Sequence, residues 1–214
     1  MQGAKDLRSV QKKGRLEVIC GSMFSGKSEE LMRRLRRAEY AKQRVLSLAN
    51  KIDDRRGIGK ISTHNGTVRI AHTLDNTIES IARMLILAEQ ADIVGIDEIH
   101  FFNEDIILAI RELVERGKHV LIAGLDQDFR GEPFNITAIL MSLADNVTKL
   151  KAICLSCGRD AHHSQRLIDG KPARYDDPII LVGAQECYEA RCRDCFSIDK
   201  RPWRTTTKTQ QQQS

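Results

Sequence analysis

Residues 15–40 carry the pattern that most limits what this chain can become. An apolar run, RLEVIC, stops at the loop GSMFSGKS, residues 21–28, after which Leu31, Leu35 and Ala38 recur at helical spacing with arginines between them. Strand, glycine-rich turn and helix in immediate succession leave the loop's backbone N–H groups facing outward at a helix N-terminus, where an anion is favoured. Gly21 and Gly26 let the backbone approach phosphate oxygens, with Ser22, Met23, Phe24 and Ser25 between them; Lys27 reaches the terminal phosphates, and the Ser28 hydroxyl suits magnesium. The loop is therefore expected to grip the phosphates of a ligand. By itself it does not name the acceptor.

The same alternation continues downstream. RVLSLA at 44–49, DIVGID at 92–97 and KHVLIAG at 118–124 are apolar, β-branched runs, and residues 76–90 and 103–116 between them have helical periodicity. This predicts an α/β fold, a parallel P-loop sheet of RecA-like type flanked by helices. Asn76 followed by Glu79 has the character of a capping box, and Glu29 and Glu30 each stand four residues before an arginine. A helix at 134–144 and a strand at 147–153 complete the predicted sheet. From Cys154 the segments shorten, a polar loop runs through 165–178, and the chain closes on TTTKTQQQQS. The predicted divisions are a flexible extension at 1–14, a nucleotide-binding domain at 15–153, a small metal-binding domain at 154–203 and a disordered tail at 204–214.

With 214 residues the chain has room for one substantial core and a small appendage. A net charge of +5 favours anionic partners without choosing between nucleotides and nucleic acid. No apolar run reaches the roughly 18–20 residues that span a bilayer, and the first fourteen residues lack the apolar centre of a secretory signal, so a cytoplasmic protein is expected. In that setting Cys154/Cys157 and Cys192/Cys195 read as two metal-binding knuckles, whose four thiolates make a closed, structural zinc site. The 34 residues between Cys157 and Cys192 exceed the usual ~15–20 of such a site, which implies a loop with its own task. Cys20 is expected to be a buried small residue, and Cys187 a competing ligand or spare thiol.

The second chemical signal is DIVGIDEIHFF at 92–102, a buried strand that ends in two adjacent carboxylates at the edge where parallel sheets bind ligands. Neighbours in an extended chain point apart, so Asp97 can assist magnesium while Glu98 accepts a proton.

Taken in order, GSMFSGKS, IDDR at 52–55, STHNG at 62–66, IDEIHFF at 96–102, GLDQDFRGEPF at 124–134, CLSC and CRDC resemble the thymidine kinase family of the cellular, zinc-containing, tetrameric type. The resemblance implies ATP held by residues 21–28, with Asp53, Arg55, Asp97, Glu98, Ile99 and His100 close to the nucleotide, and Glu98 as general base. It implies a thymidine pocket formed by Met23, Leu125, Phe129, Ser164 and Tyr188. A lasso loop from 165 onward would bind the base through the backbone of Ile179, Ile180, Leu181, Val182 and Gly183. It further implies a homotetramer, inhibition by dTTP, and no requirement for nucleic acid or membrane. His100 stands where the family usually has Gln, and Ser164 where Thr is common. The rival readings are a zinc-containing, nucleic-acid-dependent ATPase, since DEIH also resembles a helicase acidic box, and a nonenzymatic zinc module. The first needs a second motor domain for which the chain has no room; the second leaves Lys27, Ser28 and Glu98 without a task.

Overall fold

The computed structural model describes residues 13–51, 60–62, 68–179 and 186–199. Its elements run β1 (Arg15–Gly21), α1 (Lys27–Tyr40), β2 (Val45–Asn50), β3 (Lys60–Ser62), β4 (Val68–Ile70), β5 (His72–Leu74), α2 (Ile78–Leu87), β6 (Ile93–Ile96), α3 (Asp105–Glu115), β7 (His119–Gly124), α4 (Asn135–Leu143) and β8 (Asn146–Leu150). The smaller C-terminal part follows with β9 (Ala152–Ile153), β10 (Asp160–Ala161), β11 (His163–Ile168), β12 (Lys171–Pro172) and β13 (Glu186–Arg191).

The main sheet has six strands in the order β5-β2-β6-β7-β1-β8, all parallel. Its pleat sorts the apolar runs onto two faces, because successive side chains alternate. Val18, Cys20, Val120, Ile122, Val94 and Ile96 pack with residues of α2, α3 and α4. Ile19, Leu121, Ala123 and Ile93 face the other way onto Leu31, Leu35 and Ala38 of α1. Helix α1 can lie this close because position 95 has no side chain: a Cβ on Gly95 would come 2.6 Å from Leu35 Cδ1. Cys20 is fully buried as expected, and burial pushes its thiol up to about 11.

Several local expectations need correction. The N-cap of α2 is Thr77, whose hydroxyl accepts from Ser80 N–H at 3.2 Å; Asn76 does not cap it. Asn76 instead donates to Phe101 O at 2.9 Å and accepts from Asn103 N–H at 3.2 Å, tying α2's start to the turn after β6. Arg33 pairs with Glu30, three residues back, and the expected pair of Glu30 with Arg34, four residues on, is present. Arg34 joins Glu30 at 2.8 Å, Glu17 at 2.7 Å and Thr148 at 2.9 Å, so this arginine braces α1 against β1 and β8. The single strand expected over 147–153 is two: β8 runs parallel to β1, whereas β9 turns away to pair antiparallel with β10. Segments 1–12, 52–59, 63–67, 180–185 and 200–214 lie outside the described residues. They include Asp53, Arg55, Ile180, Leu181, Val182, Gly183, the expected tail and most of the expected N-terminal extension.

The C-terminal part has a small apolar cluster, Ala152, Cys154, Ala161, Ala190 and Cys192. A three-stranded antiparallel sheet, β12-β11-β13, stands beside it. Among the described residues no helix is long and apolar enough to cross a membrane.

Candidate active site

The carboxyl ends of β1, β6 and β7 converge, and the loops leaving them supply most of the expected site. In the first loop Gly21 has φ 143° and Gly26 φ 83°, and a Cβ on Gly21 would lie 2.4 Å from Leu150 O. Phe24 also lies in the left-handed region, at φ 64°. The loop closes on itself through Ser25 Oγ, which donates to Ser22 O at 2.8 Å, and through Lys27 Nζ, which donates to the same carbonyl at 2.7 Å. Ser22 Oγ is buried and has no hydrogen-bond partner among the described residues. A cradle of this shape, with an orphaned hydroxyl and an ammonium inside it, fits a polyphosphate. Burial lowers the Lys27 pKa, opposed by the charges of Glu98, Asp97 and Asp126, so the lysine is held in an acidic environment that the phosphates of a ligand would extend.

Beyond β6, Asp97 is buried and accepts a hydrogen bond from Ser28. Burial, then the neighbouring charge of Glu98, pushes its carboxyl pKa up, against the hydrogen bonds from Ser28 and the Glu98 N–H. A serine hydroxyl and a carboxylate in contact form an oxygen donor pair suited to magnesium, whose charge would offset the burial of Asp97. Glu98 differs from its neighbour: it adopts a left-handed conformation, φ 50° and ψ 46°, and its side chain is 28% exposed. For a long side chain this backbone is uncommon and costs energy that the surrounding structure must supply. The next residues, Ile99 and His100, are buried in a short helical turn.

The expected nucleoside residues lie around this edge. Leu125 N–H donates to His100 Nδ1 at 3.1 Å. Met23 N–H donates to Ser164 Oγ at 2.9 Å, joining the phosphate loop to β11. Phe129 is only 2% exposed and sits under the guanidinium of Arg166, 4.0 Å from the ring centroid. Tyr188 and Ile179 are brought to the same group: Arg166 donates to Tyr188 Oη at 2.7 Å, to Pro178 O at 2.6 Å and to Ile179 O at 2.5 Å. Arg166 is itself 1% exposed. Sequence reasoning missed it, because one arginine in the alternating stretch HSQRLI gives no sign that its side chain turns inward. Asp126 was missed too; it is buried at the end of β7 with Lys149 Nζ 2.7 Å from its carboxylate.

The four cysteines of the two knuckles meet, with their sulfurs all within 4.8 Å of one another. Tetrahedral zinc with Zn–S of about 2.3 Å needs sulfurs about 3.8 Å apart, and Cys157 and Cys192 stand at 3.6 Å. The backbone and guanidinium of Arg159 draw the Cys157 thiol down to about 6, which favours the ligating thiolate. The cluster therefore fits zinc. Cys187 is exposed and lies outside the group. His163 is buried, stacked on Phe196 with ring centroids 4.4 Å apart.

Comparison with known proteins bears on this arrangement. The profile of the family described as Thymidine kinase matches residues 14–196. Among solved structures, domain III of the replication initiation protein DnaA from Thermotoga maritima aligns at 15% identity with a TM-score of 0.38, covering 63% of this chain and 54% of that one.

Proposed function

Because the chain belongs to the thymidine kinase family, we propose that it transfers the γ-phosphate of ATP to the 5′-hydroxyl of thymidine, and also of deoxyuridine, giving the nucleoside monophosphate and ADP in nucleotide salvage. The observation that carries this reading is the pairing at the end of β6. A buried carboxylate bonded to Ser28 of the phosphate loop is followed at once by a partly exposed one, turned by a left-handed backbone.

In this mechanism residues 21–28 hold the triphosphate and Lys27 offsets its terminal charge. Ser28 and Asp97 would hold magnesium, which when bound would help to neutralise the transferring group. Glu98 accepts the proton of the 5′-hydroxyl as that oxygen forms its bond to the γ-phosphorus; the bond from phosphorus to the β–γ bridging oxygen breaks, and ADP leaves. Met23, Leu125, Phe129, Ser164, Tyr188 and the backbone of 179–183 enclose the nucleoside, with Asp53 and Arg55 near the phosphates. The four cysteines would hold a structural zinc, and by meeting at one point they anchor both ends of the loop between them. The reading includes a nucleotide-binding unit at 15–153 and a zinc unit at 154–203, a cytoplasmic homotetramer, and feedback by dTTP.

Labelled ATP with a panel of nucleosides tests the acceptor: thymidine should be phosphorylated without added nucleic acid. Hydrolysis of ATP that needs single-stranded DNA and yields no nucleotide product would favour the ATPase reading instead. Glu98→Gln should lower kcat about 10²–10⁴-fold, the range of a lost general base, with both substrates still bound. Turnover at the wild-type rate would remove Glu98 from the role.

A further inference from the structure

The group that orients Glu98 is His100, and we infer that it does so as a neutral imidazole with its proton fixed on Nε2; the inference rests on Glu98 being the base. Leu125 N–H donates to His100 Nδ1 at 3.1 Å, so Nδ1 must be the bare, accepting nitrogen. In the neutral ring the proton is then on Nε2, which lies 3.5 Å from Glu98 Oε2. An imidazolium would set an Nδ1–H against the Leu125 N–H, two donors face to face, and would forfeit that bond. The ring has little freedom to turn. Its side chain is 1% exposed and lies between Phe101 and Phe134, with ring centroids at 4.2 and 4.9 Å. Gly124 closes the remaining side, where an added Cβ would come 3.2 Å from Nδ1 and 2.6 Å from Ile99 Cγ2.

The consequence is directional. A donor fixed behind Oε2 holds that oxygen and leaves Oε1 to take the proton of the acceptor alcohol. The 3.5 Å separation is longer than a formed hydrogen bond, so the partly exposed Glu98 carboxylate must rotate toward Nε2 when the site is occupied. His100 is thus a positioning residue, linking the proton acceptor to the backbone of Leu125 on the nucleoside side. Glutamine can do the same work, since its amide pairs one acceptor atom with a donor, whereas leucine keeps bulk and offers neither.

Two measurements on the full-length protein test this. Nitrogen-15 NMR of the histidine rings, assigned with His100→Gln, should give the Nε2-protonated neutral tautomer for His100 at neutral pH; an Nδ1-protonated ring or an imidazolium overturns the inference. In steady-state kinetics His100→Leu should lose about ten- to a hundredfold in kcat, the scale of a misplaced reacting group, with KM for ATP and nucleoside little changed, and His100→Gln should recover most of that loss. A His100→Leu enzyme with wild-type kcat, or a His100→Gln enzyme as impaired as the leucine variant, overturns it. Failure of the functional reading looks different: the wild type would phosphorylate no nucleoside, or Glu98→Gln would remain active, while the tautomer would still be read by NMR.

Discussion

The two parts of this molecule are held together by different physics. The sheet of β1, β2 and β5 to β8 buries a continuous apolar core on both faces, with Leu31, Leu35, Ile96, Ile106, Ile110 and Leu113 among its fully enclosed side chains. Among the described residues, the cluster from β9 onward consists of three alanines and two cysteines with Cys195 packed against it, too little apolar surface to hold short strands without help. In the first part solvent exclusion does the work; in the second, four sulfurs at metal distance take its place. The lesson is that the sheet end needs no metal to be rigid, while the end carrying Tyr188 and Arg166 would depend on the ion its four cysteines are placed to hold.

The largest effect that could break this contrast is removal of zinc, which in small zinc domains contributes roughly 10–16 kcal/mol of folding energy. Treatment with a chelator should abolish hydrogen-exchange protection of amides such as Cys154 N–H, which donates to Arg159 O at 2.8 Å. Protection of β7 should survive, and thymidine affinity should fall before ATP affinity. If β1 and β7 open together with the cysteine part, the two are one cooperative unit, coupled through Met23 with Ser164 and Phe129 with Arg166, and the contrast fails. Next in size is Leu35→Ala, which should cost about 2–5 kcal/mol, as large-to-small changes in packed cores do. Thermal melting should shift for the whole sheet with chelator sensitivity unaltered. Thr77→Ala should cost about 0.5–2 kcal/mol by removing a helix cap, measurable by urea titration. The smallest expected effect is electrostatic. Arg33, then Arg34, hold the Glu30 carboxyl at about 2, well below its ordinary value. Its contribution is therefore fully present above pH ~4.5, the ordinary value, and is lost as pH falls toward 2; Glu30→Gln should flatten the acid limb of the stability curve.

What was legible in the sequence follows the same division. β6 is written as an apolar run because it is buried at every residue, β1 and β7 because all but their first residues are largely enclosed, and α1 as a 3.6-residue period because only the face carrying Leu31, Leu35 and Ala38 is buried; the cysteine pairs announce their meeting by chemistry. The cap of α2 was misread because the Asn76 side chain is claimed by Phe101 and Asn103, 25 and 27 residues away, a tertiary contact with no local pattern. The division of 147–153 was hidden as well, since β8 and β9 are one apolar-polar stretch whose partners, β1 and β10, lie in different sheets. Arg166 was illegible for a similar reason: its partners, two adjacent carbonyls, a phenol and a ring, are assembled from three separate points of the chain. The carboxylate pair at 97–98 was readable as chemistry, but its asymmetry, one side chain buried and the other turned outward, resides in a backbone angle that composition does not encode.

The bare position at Gly95 works as a gauge. With nothing but hydrogen between the β6 backbone and Leu35, the seating height of α1 on the sheet is set by main-chain thickness, and the lysine and serine at its first turn inherit that height relative to Asp97. A methyl group added there would lift the whole helix like a shim, detuning the reach of Lys27 and Ser28 without altering a single ligand-facing atom.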